Sequence, residues 1–140
     1  LNNLLFDRQL KATCVIDLDT VMPGTVLYDL GDALRTIGSN LPEDDPDVDS
    51  LRVNRDYLSA FINTYLETLQ GTLTQEEQQL VPYSATYMSA IMGVRFLTDH
   101  LNGDRYFNVT FRGQNLDRAK NQLCLAEEFN EIMQNREGKY

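Results

Sequence analysis

The stretch Val15-Ile-Asp-Leu-Asp-Thr-Val-Met-Pro-Gly-Thr-Val-Leu-Tyr-Asp-Leu-Gly-Asp32 contains a change of structural period, and the fold follows from where that change falls. Upstream of it, residues 12–18 (Ala-Thr-Cys-Val-Ile-Asp-Leu) are mostly apolar. A shorter apolar run, Leu4-Leu5-Phe6, precedes them across the polar connection Asp7-Arg8-Gln9. Two short apolar runs joined in this way predict a β-hairpin. The near-continuous hydrophobicity of 12–18 predicts a strand buried on both faces. Met22-Pro23-Gly24 then breaks the strand. From Val26 the period becomes helical: Leu27, Leu30, Ala33 and Leu34 share a face, and Gly38 closes the segment.

Downstream, residues 39–50 read as a loop carrying the acidic cluster Glu43, Asp44, Asp45, Asp47 and Asp49. Such a run is either a cation site or, far more commonly, a solvated and mobile loop, and it lacks the glycine and terminal glutamate of a calcium-binding loop. Tyr57, Leu58, Phe61, Ile62, Tyr65, Leu66 and Leu69 form an amphipathic helix stopped by Gly71. Thr74 with Glu77 is a capping box opening the next helix, which Pro82 interrupts. From Tyr83 to Leu101 the chain is apolar on almost every side, which predicts a helix central to a bundle. Asn102-Gly103 ends it, and a last helix runs from about Asn115 to Arg136 with Leu116, Ala119, Leu123, Ala126, Phe129 and Met133 as its stripe. The predicted fold is mainly α with a small β-hairpin: residues 1–24 form the hairpin and 25–140 a helical subdomain of four or five helices.

At 140 residues the chain fits one domain or a piece of one, and a chain of this size can bury roughly 68–70% of its unfolded surface. Acidic residues outnumber basic ones 21 to 12, for a net charge of −9. That surface repels phosphate backbones and anionic lipid, which disfavours nucleic acid and membranes as partners. No apolar run approaches the ~20 residues of a spanning helix. Two cysteines, Cys14 and Cys124, make no disulfide framework; they read as small core residues in a reducing, cytoplasmic setting. The one histidine, His100, excludes a His-rich metal site and reads as a satisfied structural residue rather than a base.

Asp17 and Asp19 are two residues apart at the end of the second strand, so on an extended chain they point to the same side. Two carboxylates in a semi-buried place repel and pay desolvation, which a divalent cation relieves; hard oxygen ligands suit Mg²⁺. The alternative is that one aspartate caps a turn and the other is solvated. Asp-x-Asp-Thr-Val also matches the nucleophile motif of haloacid dehalogenase-like phosphatases. That match is short, however, and those enzymes alternate strands with helices, whereas here Gly31-Asp32 follows Asp17 too closely to serve as their distant acidic motif.

The longer stretch resembles the aminoglycoside phosphotransferase and choline kinase superfamily, whose fold is protein-kinase-like, and most nearly its N-acetylhexosamine 1-kinases. The blocks that carry the likeness are Leu1-Asn-Asn-Leu-Leu-Phe-Asp7, Val15 to Arg35, Arg95-Phe-Leu-Thr-Asp-His-Leu-Asn-Gly-Asp-Arg-Tyr-Phe107 and Asn115-Leu-Asp-Arg-Ala119. The resemblance implies the C-terminal helical subdomain of a kinase that uses ATP and Mg²⁺ to phosphorylate a sugar; the alternatives are a kinase for another acceptor (an aminoglycoside, choline or ethanolamine, or homoserine) and a non-catalytic kinase-like interaction domain. The family's catalytic loop reads His-x-Asp-x-x-x-x-Asn. Asn3 falls at its metal-binding asparagine, which places the histidine and catalytic aspartate before Leu1, along with the lobe that covers ATP. By the same likeness Asp17 and Asp19 complete the metal set. Asp29, or else Asp32, braces the catalytic loop, unless both only complement the helix dipole. Arg95, an arginine in an otherwise apolar helix, needs a partner such as Asp99. In the sugar-kinase branch the residues matching Arg95 and Tyr106 contact the sugar, which implies the same role here; otherwise Tyr106 is a half-buried core aromatic. Gly93 allows close helix packing or close substrate approach. The chain alone is then expected to lack activity and to self-associate through apolar surface near the hairpin.

Overall fold

The computed structural model describes residues 3–19 and 21–137. Strands β1 (Leu4–Phe6) and β2 (Ala12–Val15) pair antiparallel, with Leu4 opposite Val15 and Leu5 opposite Cys14. Asp7 closes the turn between them: its Oδ1 accepts from the backbone N–H groups of Gln9 and Lys11, both at 2.9 Å. This is how a short acidic side chain substitutes for a turn's backbone acceptor. The hairpin is where it was expected, but its burial is not. All of β2 is exposed, and Leu5, Phe6, Val15 and Leu18 are each about half exposed or more. Hydrophobic patterning reports what a strand would bury, and no described element packs over this one. Cys14 shares that exposure and is not a core residue, whereas Cys124 is half-buried; both are free thiols.

Helix α1 (Val26–Gly38) begins where the period changes, with the Thr25 hydroxyl accepting from the Leu27 N–H at 3.3 Å. Helix α2 (Arg55–Thr68) is capped by Asn54, whose side chain accepts from the Tyr57 N–H at 3.1 Å. Helix α3 (Gln75–Leu80) has the full capping box: Thr74 Oγ1 accepts from Glu77 N at 3.1 Å, and Glu77 Oε2 accepts from Thr74 N at 2.9 Å. Pro82 sits in a single 3₁₀ turn, Val81–Tyr83, leading into α4 (Ser84–Leu101). Helix α5 (Gln114–Glu137) closes the described chain.

The main core lies where α1, α2, α4 and α5 meet. Leu30, Leu34, Leu51, Leu58, Ile62, Val81, Ala85, Leu125 and Phe129 are buried together there. Each large side chain contributes about 1.5–3 kcal/mol by leaving water. A smaller cluster of Met92, Phe96 and Ala119 sits further along α4, with Phe107 packed on it. Helix α4 is central, as expected, but it is not buried all round: Tyr87, Val94 and Leu101 are more than half exposed. Two glycines set its packing distances. A side chain at Gly31 would collide with Met88 and the Ser84 carbonyl of α4, and one at Gly93 would meet Leu123 of α5 at 2.7 Å. Gly93 therefore serves helix packing.

The acidic segment 39–50 is not the free, solvated loop that its composition predicts. Asp44 Oδ2 accepts from Gln114 Nε2 at 2.8 Å, and Asn121 Nδ2 donates to the carbonyls of Pro42 and Asp45 at 3.0 and 3.3 Å. Buried amides on α5 pin it to the bundle, an effect that charge counting does not register.

Candidate functional site

The hairpin brings Asn3 and Asp17 to one end. The Ile16 N–H donates to the Asn3 carbonyl at 2.9 Å, so Asn3 lies across from the residue that precedes Asp17. Asp17 itself has φ 63°, in the left-handed region that non-glycine residues seldom occupy. The strand thus ends at Val15, and the extended-chain rule that put Asp17 and Asp19 on one side does not apply. Both aspartates are exposed, so the desolvation that made a cation seem necessary is absent as well. Among the described residues no group of three or more His, Cys, Asp or Glu side chains converges on a metal position. The donors available at this end are one amide oxygen and two carboxylates, all hard oxygen ligands. Such a set suits Mg²⁺, which usually takes one or two carboxylates and fills its shell with water and substrate phosphates. Leu1 and Asn2 of the first family block and Thr20 of the Asp-x-Asp-Thr-Val motif lie outside the described residues.

Asn3 also lines a cleft of about 480 Å³ with Asp32, Arg35, Thr36, Glu43 and Gln122. Arg35 organises it. Its guanidinium donates to Asp32 Oδ1 at 2.7 Å, to Glu43 Oε1, and to Gln122 Oε1 at 3.2 Å. Two carboxylates and an amide around one guanidinium hold the floor of this cleft in a fixed arrangement. Of the two candidate bracing residues, Asp32 lies beside Asn3 in this cleft. Asp29 stands in the first turn of α1, where its negative charge, after burial, helps push the Tyr65 phenol upward.

Arg95 and Tyr106 come together in a second cleft of about 360 Å³ at the C-terminal end of α4, lined also by Thr98, Asn102 and Phe107. The Arg95 guanidinium lies 5.7 Å from the Tyr106 ring centre and 5.4 Å from that of Phe107. Arg95 is exposed and not buried, and Asp99 is not its partner. Tyr106 is 74% exposed, so it is not a core aromatic. Asp99 is the buried one: its carboxylate accepts from the backbone N–H groups of Arg105, Tyr106 and Phe107 at 3.0, 2.9 and 2.9 Å, and from Asn115 Nδ2 at 3.0 Å. The Phe107 N–H above all, then those of Tyr106 and Arg105 and the Asn115 amide, hold the Asp99 carboxyl below the usual carboxylate range against the opposing effect of burial. His100 was expected to be satisfied. Its Nδ1 is buried without a hydrogen-bond partner, 3.8 Å from Asp104 Oδ1.

Arg35, Gln122, Asp99 and Asn115 were not legible as site residues from sequence. Among the described residues no helix is long and apolar enough to cross a membrane. Compared with known families, residues 1–71, just over half of the 140-residue chain, match a family model described as "Phosphotransferase enzyme family". The match runs from the hairpin through α2.

Proposed function

Because the chain belongs to the phosphotransferase enzyme family, we propose that it is the helical C-terminal part of an ATP-dependent small-molecule kinase whose acceptor is a sugar hydroxyl, the anomeric hydroxyl of an N-acetylhexosamine. The observation that carries this proposal is the register of the hairpin, which sets Asn3 beside Asp17 at its open end. In the reaction the bond from the γ-phosphorus to the β,γ-bridging oxygen breaks and a bond to the acceptor oxygen forms. The acceptor proton passes to a general base, which the family likeness puts before Leu1.

Phosphoryl transfer asks little covalent work of a protein; positioning and charge neutralisation carry the rate. A bound Mg²⁺ would neutralise charge on the β- and γ-phosphates, and Asn3, Asp17 and Asp19 are the residues that would hold it. The left-handed backbone at Asp17 turns the chain out of the strand at this point and displays the two carboxylates to solvent, where a nucleotide tail can approach. Arg35 fixes Asp32 on the wall of the adjoining cleft. Arg95 and Tyr106 supply a cation and an aromatic face, a pairing suited to a polyhydroxylated ring: the guanidinium donates to ring hydroxyls or an acetamido carbonyl, and the tyrosine covers a C–H face.

The test uses the full-length protein with ATP and a panel of acceptors, namely N-acetylhexosamines, aminoglycosides, choline and homoserine. Sugar 1-phosphate should form selectively, and Asp17→Ala should lower kcat at least about a hundredfold. Undiminished turnover in Asp17→Ala removes the aspartate from the nucleotide site. Selective turnover of another acceptor replaces the sugar.

A further inference from the structure

The carboxylate of Asp99 is saturated. Oδ1 accepts from the N–H groups of Arg105 and Tyr106, and Oδ2 accepts from the N–H of Phe107 and from Asn115 Nδ2. The residue is 6% exposed and Asn115 is fully buried. With four donors on two oxygens it has no capacity left to take a proton from a substrate or to bind a metal. The same Asn115 amide also donates to Asp104 Oδ1 at 2.9 Å. Arg118 donates to the Asn108 carbonyl and to Asn115 Oδ1, each at 3.0 Å. Residues 104–108 are thus tied down from beneath by α4 and α5, while Tyr106 above them is largely exposed to the cleft.

Arg95 and Asp99 are one helical turn apart on α4 and do different work. Arg95 lies in the cleft wall; Asp99 lies under the loop and fixes where the opposing aromatic stands. Three consecutive backbone amides on one carboxylate set the loop's position with little freedom, since losing any one bond strands a polar group.

We infer that Asp99, oriented by Asn115, is a positioning residue for the acceptor cleft, holding Tyr106 and Phe107 at the distance from Arg95 that acceptor binding requires. The inference rests on the proposal that this cleft takes the acceptor. Without the tie, the aromatic wall moves relative to the guanidinium, and acceptor affinity falls while nucleotide handling at the hairpin is untouched.

The test combines two readouts on the full-length protein. Asp99→Asn substitutes a donor for one of the acceptor oxygens, and Asn115→Ala removes one donor while sparing the carboxylate, which covers the case in which the first variant does not fold. Hydrogen exchange at the amides of residues 105–107 should accelerate in both. The KM for the acceptor should rise roughly tenfold or more, with the KM for ATP unchanged. Arg95→Ala is the control. Unchanged exchange at 105–107 overturns the inference. So does faster exchange with an unchanged acceptor KM, provided that Arg95→Ala raises that KM. If Arg95→Ala and Asp99→Asn both leave the acceptor KM unchanged, the acceptor does not bind in this cleft, and that part of the proposed function fails with the inference.

Discussion

Two glycines show how single residues set the geometry of the bundle. At Gly31 an added methyl meets the Ser84 carbonyl, a backbone atom that moves only if α1 and α4 separate. At Gly93 it meets the Leu123 side chain, which can change rotamer. Gly31→Ala should therefore cost about 1–3 kcal/mol and more than Gly93→Ala, measured by urea denaturation; equal or reversed costs would mean that the α1–α4 contact is slack. Asp99 contributes to the acid limb of stability. Its folded-state pKa lies below the unfolded value, so its contribution is present above the unfolded-state pKa and is lost as pH falls through the folded one. The Tm of the native chain should fall more steeply on acidification than that of Asp99→Asn; parallel profiles would show that the carboxylate is not held in its charged form. The sequence showed Asp99 only as a possible mate for Arg95, because helical spacing records which side chains are near and not which buried amides compete for one of them.

At the scale of elements, periodicity and stop signals located the α-helices of the described residues to within a residue or two. The Thr74–Glu77 box is a local instruction, satisfied by neighbours in sequence, and such an instruction is readable. What such signals could not give was what covers each element. The apolar run 12–18 reads as buried, yet β2 is exposed along its length. The acidic segment reads as free, yet Asn121 and Gln114 on α5 hold it across some seventy residues of chain. A two-stranded hairpin with apolar side chains on both faces is marginal by itself. The isolated 140-residue chain is therefore predicted to self-associate through Leu5, Phe6, Val15 and Leu18. Multi-angle light scattering should show a concentration-dependent mass that Phe6→Ser with Leu18→Ser reduces; a monomer at high concentration contradicts this.

For the whole molecule, candidate site residues fall in separate clefts of a helical bundle. One joins Asn3 to the Arg35 cluster along α1; the other sets Arg95 against Tyr106 at the far end of α4. The fold class was legible because hydrophobic periodicity and turn signals carry it. The grouping of the candidate residues into separate clefts was not, since it depends on how elements distant in sequence converge. The proposed function puts a metal–nucleotide complex at the hairpin end. Its most direct test is paramagnetic broadening of backbone amide resonances by Mn²⁺–ATP in the full-length protein. Residues 3 and 16–19 should broaden first, and Asp17→Ala should abolish the effect. Sharp signals from the hairpin, with broadening confined to residues elsewhere in the chain, would contradict it.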